Sequence, residues 1–486
     1  MKKFLILFRL LCIVTIVTLL NSCAVNPVTG KTQLMLMTES QEIAMGAEYD
    51  PELVASFGLY EDSKILGFVE TKGTEMGKIG HRPNLTYHFR ILDSPVVNAF
   101  AVPGGYIYLT RGILAQLNNE AELMAVIGHE MGHVNARHTA TQQSKSIVGQ
   151  ILLLGGSAVS ERFAQYANYA STGLELIYLS FSRENEREAD ELGVEYSTKI
   201  GYDANKMADF FDVLNKMDQG GSSIPAFLST HPNPIDRNAA VKASATKWQS
   251  TIGNQSWLVN SEEYLHLIDG LVFGDDPRKG YVEGTTFYHP ELGFQFIVPT
   301  GWSFENAASQ ISMAPEDGSA ILAFMKCDEK SVIEAEATGI KGLGLTNTTN
   351  TIATLNGFSV LTSEGDQVST KASSGAQTVN KVLSQYIDYN GTIYVFHALT
   401  GEADISAMKP IFEKTMKSFA KISDASKLNV KPSRLTIVAV PNNGIVSDVM
   451  TNMGVPKSEL EKIALLNNLD LSNSIEKGKL IKIITK

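Results

Sequence analysis

Asn119-Glu120-Ala121-Glu122-Leu123-Met124-Ala125-Val126-Ile127-Gly128-His129-Glu130-Met131-Gly132-His133 is the stretch on which the reading of this chain turns. It reads as one helix. Asn119 is a suitable N-cap, and Glu122 stands three residues on, where a capping-box carboxylate belongs. Leu123, Val126 and Ile127 recur at helical spacing and predict a buried stripe. His129 and His133 lie four residues apart, so both imidazoles leave one face and can share a metal ion. Glu130 projects from an adjacent direction, beside such a metal instead of onto it. A carboxylate there is placed to deprotonate a metal-activated water.

Two histidines on a half-buried helix can also be simply hydrogen-bonded, and a second motif is needed to decide. Ser182-Arg183-Glu184-Asn185-Glu186-Arg187-Glu188-Ala189-Asp190 again reads as a helix, with Glu186 and Asp190 four apart on one face. A catalytic zinc takes three protein ligands and keeps one position open, and Glu186 is a chemically suitable third ligand. Asp190, one turn on, suits a carboxylate that orients a ligand imidazole. By itself this helix is equally a solvated acidic face. Together the two motifs favour a metal site.

A third element is His231-Pro232-Asn233-Pro234-Ile235-Asp236-Arg237. In order and spacing, His129-Glu130-Met131-Gly132-His133, Ser182-Arg183 with Glu186-Arg187-Glu188-Ala189-Asp190, and this H-P-x-x-x-x-R element resemble one family. It is the family of zinc metallopeptidases that includes the CAAX prenyl proteases, the HtpX-type membrane proteases and the periplasmic BepA-like enzymes. The resemblance covers residues 25–245. It implies that His129, His133 and Glu186 are zinc ligands, that Glu130 is the general base and that Asp190 supports the ligand shell. It implies one Zn2+ per chain and polypeptide substrates. His231, flanked by proline, is expected at the site: in the metal's open position, gating it, or stabilising the oxyanion. A structural pairing of Arg237 with Glu or Asp is the competing expectation.

The chain has 486 residues, enough for two to four domains. Its apolar share of 44% supports ordinary packed cores, and the net charge of −11 argues against nucleic acid as a partner. Residues 1–22 read as a leader, with Lys2 and Lys3 ahead of an apolar stretch too short to span a bilayer comfortably. Leu20-Asn21-Ser22-Cys23 resembles a bacterial lipobox, so Cys23 is expected to carry lipid and tether the chain to a membrane of the cell envelope. Ala24, where an inner-membrane retention signal has Asp, favours the outer membrane. With Cys12 in the leader and Cys23 lipidated, Cys327 stands alone and no internal disulfide is expected.

The expected fold class is α+β and multidomain. Residues 23–272 form a mainly helical, zincin-type peptidase domain with a small sheet. A helix starts near Glu39, with Ile43, Ala44 and Ala47 on one face. A strand covers 85–92 and a hairpin or pair of short strands 97–109, and residues 98–103 are the candidate edge strand for holding extended substrate, with an ordinary core strand as the alternative. Residues 147–179 predict a helical lid, a lipid-facing patch or a packed hairpin. A linker at 274–280 precedes an α/β sandwich domain at 284–422. The stretch 294–302 resembles PsbP/Mog1-like domains, and Asn390-Gly391 marks a hairpin turn. Residues 433–486 resemble a small βααβ LysM module, with Asn442-Asn443-Gly444 in place of the usual Gly-Asp-Thr.

The resulting expectation is a zinc metalloendopeptidase of the bacterial cell envelope that degrades misfolded or misassembled envelope proteins. The alternative is an envelope chaperone or scaffold lipoprotein with a latent zinc site, its C-terminal domain engaging peptidoglycan or partner proteins.

Overall fold

The computed structural model describes residues 23–145, 181–219, 226–231, 237–253, 256–370 and 377–486. The leader, the 147–179 stretch and the interior of the His231–Arg237 loop lie outside the described residues. Where the sequence suggests three successive domains after the leader, the described chain divides into two compact units. One combines residues 59–274 with most of the N-terminal stretch and with 433–485; the other is built on 275–432.

The first unit contains the hairpin β1 (Cys23–Val25) and β2 (Thr32–Leu34), then helices α1 (Glu39–Phe57) and α2 (Ser63–Ile79). Next come β3 (His88–Leu92), β4 (Ala99–Val102) and β5 (Tyr106–Thr110), followed by α3 (Arg111–Gln116) and α4 (Glu120–Ala136). After these stand α5 (Arg183–Lys199), α6 (Lys206–Gln219), α7 (Ala226–Thr230), α8 (Arg237–Ile252) and α9 (Ser261–Leu267). The predicted hairpin at 97–109 is β4 and β5, turning through Gly104 and Gly105, both at positive φ. In the order β3-β5-β4, β3 runs parallel and β4 antiparallel to β5, so β4 is an edge. On α1 the buried face differs from the expected one. Glu42, Gly46, Tyr49 and Leu53 point inward, while Ile43 is 43% exposed.

Helix α4 departs from the amphipathic reading. Every residue from Glu120 to Ala136 is buried, because α2, α5, α6 and β4 all pack around it. A helix enclosed on all sides is a core element. Its start is capped as expected by Asn119, whose Oδ1 accepts from Glu122 N at 2.8 Å. The Glu122 carboxylate reaches one residue further back than a capping box requires, to Asn118 N at 2.7 Å. Its end turns through Arg137 in the left-handed conformation (φ 57°). The Arg137 and Arg82 guanidinium groups both hold the buried Glu42 of α1, at 2.8 and 2.9 Å.

Helix α5 crosses α4 at backbone contact. A Cβ on Gly128 would lie 3.0 Å from Gly193 Cα, one on Gly132 3.0 Å from Ala189 Cα, and one on Gly193 2.9 Å from His129 N. Only small residues allow this approach, and it brings the α5 carboxylates onto the α4 imidazoles.

The second unit has a seven-stranded antiparallel sheet and a four-stranded one, joined by a core rich in phenylalanine. Asn390 (φ 55°) and Gly391 (φ 82°) form the predicted turn between two of its long strands. Beyond it the chain returns to the first unit as a strand (Arg434–Ala439), two short helices (Val446–Asn452 and Leu460–Leu466) and a final strand (Leu480–Thr485), so the βααβ order is present. Residues 270–273 add a further strand edge to it: Gly270 N donates to Leu435 O at 2.9 Å and Leu435 N to Leu271 O at 2.8 Å. Leu435, Met450, Ile463 and Ile481 belong to the same hydrophobic core as α4. Lys482 is fully buried and donates from Nζ to Ala115 O at 2.8 Å and Leu117 O at 2.9 Å, at the C-terminal end of α3. A cation is favoured at that end of a helix. Burial pushes Lys482 down to about 7 and the nearby Glu122 up to about 7, while their opposite charges favour each other's ionised form.

Lys482→Met leaves those carbonyls without their donor and Glu122 without its cation. The expected loss is about 3 kcal/mol, read as a lowered unfolding midpoint. A partial recovery in the Lys482→Met/Glu122→Gln double variant checks the coupling.

Candidate metal centre

The α4–α5 crossing places His129, His133 and Glu186 together, and His231 closes the group from the end of α7. One ligand atom from each of these four buried side chains lies within 4.8 Å of all the others. His129 Nε2 is 3.1 Å from His133 Nε2 and 3.2 Å from His231 Nδ1. Glu186 Oε1 lies 3.1 Å from His231 Nδ1 and 3.4 Å from His133 Nε2. Glu130 stands beside the group, its Oε1 3.6 Å from His231 Nε2. All the site residues named from the sequence therefore meet in one place, Asp190 included. Asp190 Oδ1 lies 2.9 Å from His129 Nδ1, the ring nitrogen that faces away from the cluster.

The donor set fits a divalent cation. Nitrogen lone pairs and carboxylate oxygens converge, and Glu130 Oε1 is buried without a hydrogen-bond partner. Such an unbonded acceptor is costly in a protein interior, and a cation relieves it. Two His and one carboxylate suit zinc in a site that keeps a further position. Ionisation also suits binding, which needs deprotonated ligands. Burial holds the His133 imidazole well below its ordinary value, so it is neutral. Burial also opposes ionisation of Glu186, but the neighbouring His231 and His133 outweigh it and hold that carboxyl well below the usual range. Glu130 is raised by its burial, against the pull of His231 and His129. For His231 burial is outweighed by Glu186 and Glu130, which raise it.

Arg237 settles between the two expectations held for it. Its Nε and Nη2 grip both Asp190 oxygens at 2.6 and 2.7 Å, and Nη2 also lies 3.2 Å from Glu186 Oε2. This pairing is structural, yet it fixes the carboxylate that orients His129. The guanidinium also lies over the Phe211 ring, 4.1 Å from its centroid. Phe227 stacks on His231 at 4.6 Å and Phe181 packs on His133 at 4.1 Å between centroids.

Sequence reasoning missed His138. Its Nδ1 lies 3.0 Å from His133 Nδ1, and its Nε2 lies 3.0 Å from Glu188 Oε2. Glu188 was part of the second motif but had no role assigned. His138 follows the left-handed Arg137, so no helical spacing relates it to His133. The edge strand at 98–103 is present as β4, and Ala101, Val102, Pro103 and His133 line one small cavity. No described helix is long and apolar enough to cross a membrane.

Arg237→Ala leaves Asp190 and Glu186 buried without their cation. A loss of about 3–5 kcal/mol is expected, measurable by thermal unfolding, and Arg237→Lys should not restore it because lysine cannot make the two-pronged contact.

Known proteins bear on this geometry. Over 264 residues the chain is 28% identical to the beta-barrel assembly-enhancing protease of Escherichia coli strain K12, covering 52% of this chain and 53% of that protein. With the mitochondrial metalloendopeptidase OMA1 of Arabidopsis thaliana it shares 33% identity over 158 residues, 32% of this chain and 31% of the relative. The chain spans about half the length of the beta-barrel assembly-enhancing proteases it matches. Among solved structures, the cyanobacterial PsbP of Synechocystis is similar over 29% of this chain and 98% of its own, at 15% identity and a TM-score of 0.22. The model of peptidase family M48 matches residues 67–245, which span α4, α5, His231 and Arg237. Residues 67–245 are thus similar to the metallopeptidases of family M48, and the match takes in the H-E-x-x-H motif at His129–His133.

Proposed function

We propose that the chain is a zinc-dependent metalloendopeptidase, with His129, His133 and Glu186 as metal ligands and Glu130 as general base. The observation that carries this reading is the buried Glu130 Oε1, partnerless beside a converging His-His-Glu set. Bound zinc would acidify a water toward a pKa of about 7 and polarise the scissile carbonyl. Glu130 takes the proton of the attacking water and passes it to the leaving amine. Asp190, clamped by Arg237, keeps the His129 ring aimed at the metal. Because β4 is an edge and shares a cavity wall with His133, it supports docking of an extended polypeptide by strand addition.

Misfolded or misassembled envelope proteins are the substrate class we favour. Two lines support it: the lipobox-like Leu20-Asn21-Ser22-Cys23, which would tether the chain through lipidated Cys23 at the outer membrane, and the similarity to the beta-barrel assembly-enhancing protease of Escherichia coli. A second reading is a latent site in an envelope scaffold, with residues 433–486 engaging peptidoglycan or a partner. His231 favours it, since its Nδ1 lies where a fourth ligand would sit.

Casein cleavage by the chain from Cys23 onward, against its Glu130→Gln variant with zinc content measured in both, separates these readings. Equal zinc with cleavage reduced by about 10²-fold or more in the variant is expected. Zinc in both and cleavage by neither supports the latent site, and His231→Ala should then release activity. Absence of zinc from the unaltered protein would overturn both.

A further inference from the structure

We propose that His138 and Glu188 form an outer arm that sets the tautomer and orientation of His133, as Asp190 and Arg237 do for His129. The inference rests on the metal reading above and assigns a role to two residues outside the ligand set.

The geometry starts from His133 itself. Its Nε2 faces the cluster, 3.1 Å from His129 Nε2 and 3.4 Å from Glu186 Oε1. Its Nδ1 faces outward, 3.0 Å from His138 Nδ1. Two ring nitrogens at that distance need one proton between them. When Nε2 gives its lone pair to a metal, the proton of neutral His133 resides on Nδ1, which then donates to His138 Nδ1. Neutral His138 in turn carries its proton on Nε2 and donates to Glu188 Oε2 at 3.0 Å. One tautomer of each ring satisfies the whole line, and the carboxylate at its end selects it.

The backbone is arranged for this contact. His138 is 2% exposed and lies one residue past Arg137, whose left-handed turn (φ 57°) directs the chain back against the last turn of α4. A non-glycine residue in that region carries strain of order 1 kcal/mol, and Arg137 is held there by Glu42 at 2.8 Å. Phe181 covers the other side of the His133 ring.

A single helix, α5, thus supplies the ligand Glu186 and both outer carboxylates, Glu188 and Asp190. The two arms differ in stiffness. Asp190 is gripped by a buried arginine, whereas the Glu188 side chain is 24% exposed and its Oε1 has no hydrogen-bond partner. His133 is accordingly the ligand whose orientation is held less firmly.

Zinc affinity measured by chelator competition, with visible spectra of the Co(II)-loaded protein, tests the arm in His138→Ala, His138→Asn and Glu188→Gln. His138→Ala should weaken zinc about 10–100-fold and shift the Co(II) bands. His138→Asn, whose Oδ1 stands where the accepting Nδ1 stood, should recover most of the affinity and the spectrum. Glu188→Gln should fall between them. Equal losses in the Ala and Asn variants would reduce His138 to packing and overturn the arm. If His138→Ala fails to fold, the Asn and Gln variants decide: wild-type affinity and spectrum in Glu188→Gln overturn the arm. Zinc bound as tightly by His138→Ala as by the unaltered chain sinks the arm alone, whereas no zinc in the unaltered chain sinks the metal reading with it.

Discussion

The contact of α4 with α5 through Gly128, Gly132, Ala189 and Gly193 is the constraint on which the site depends. A Cβ at Gly128, Gly132 or Gly193 would lie only about 3 Å from the opposite backbone, so even alanine at these three positions requires the helices to shift. Ligand geometry tolerates errors of only a few tenths of an ångström, about the shift that an added methyl at the crossing would demand. Large side chains elsewhere in the core fill space; here their absence creates the site. Residues remote in sequence flank α4: Lys482 binds the carbonyls at the end of α3 just before its start, and Glu42 of α1 holds Arg137 at its end. The helix that presents the imidazoles is thereby fixed along its axis as well as across it.

The charges gathered around that crossing make a poor stabilising core. Glu130, Glu186, Asp190 and Arg237 are all nearly or fully buried, with three histidines among them. Desolvating such groups costs several kcal/mol each, and pairing returns only part of it. Arg237 balances Asp190 and approaches Glu186, yet Glu130 keeps an orphaned oxygen. Stored electrostatic cost of this kind is expected where a site is built to receive a cation.

Much of the site was legible because its parts repeat at helical spacing. The pair 129/133 places two imidazoles on one face, and the pair 186/190 places a further ligand candidate and the carboxylate behind His129 on one face. His231 was legible as part of a motif, not from any periodicity. His138 was not legible, since a left-handed turn at Arg137 breaks the register that would connect it to His133. The burial of α4 on every side was also hidden: its polar His129, Glu130 and His133 look like a solvent face until their partners on α5 and at His231 are known. Local signals located the strands and helices of 433–485, but whether an apolar face closes on itself or on another part of the chain is decided by long-range packing.

That return of 433–485 to the first unit carries a consequence for how the protein is made. Residues 275–432 make up nearly all of the second unit, whereas the core around α4 lacks Leu435, Met450, Ile463 and Ile481 until the chain has grown past them. Contacts joining residues more than 300 positions apart, such as Lys482 with Ala115, close last and slowly. The core that carries the His-His-Glu cluster is therefore completed only by the last part of the chain, after the whole of 275–432 has been made.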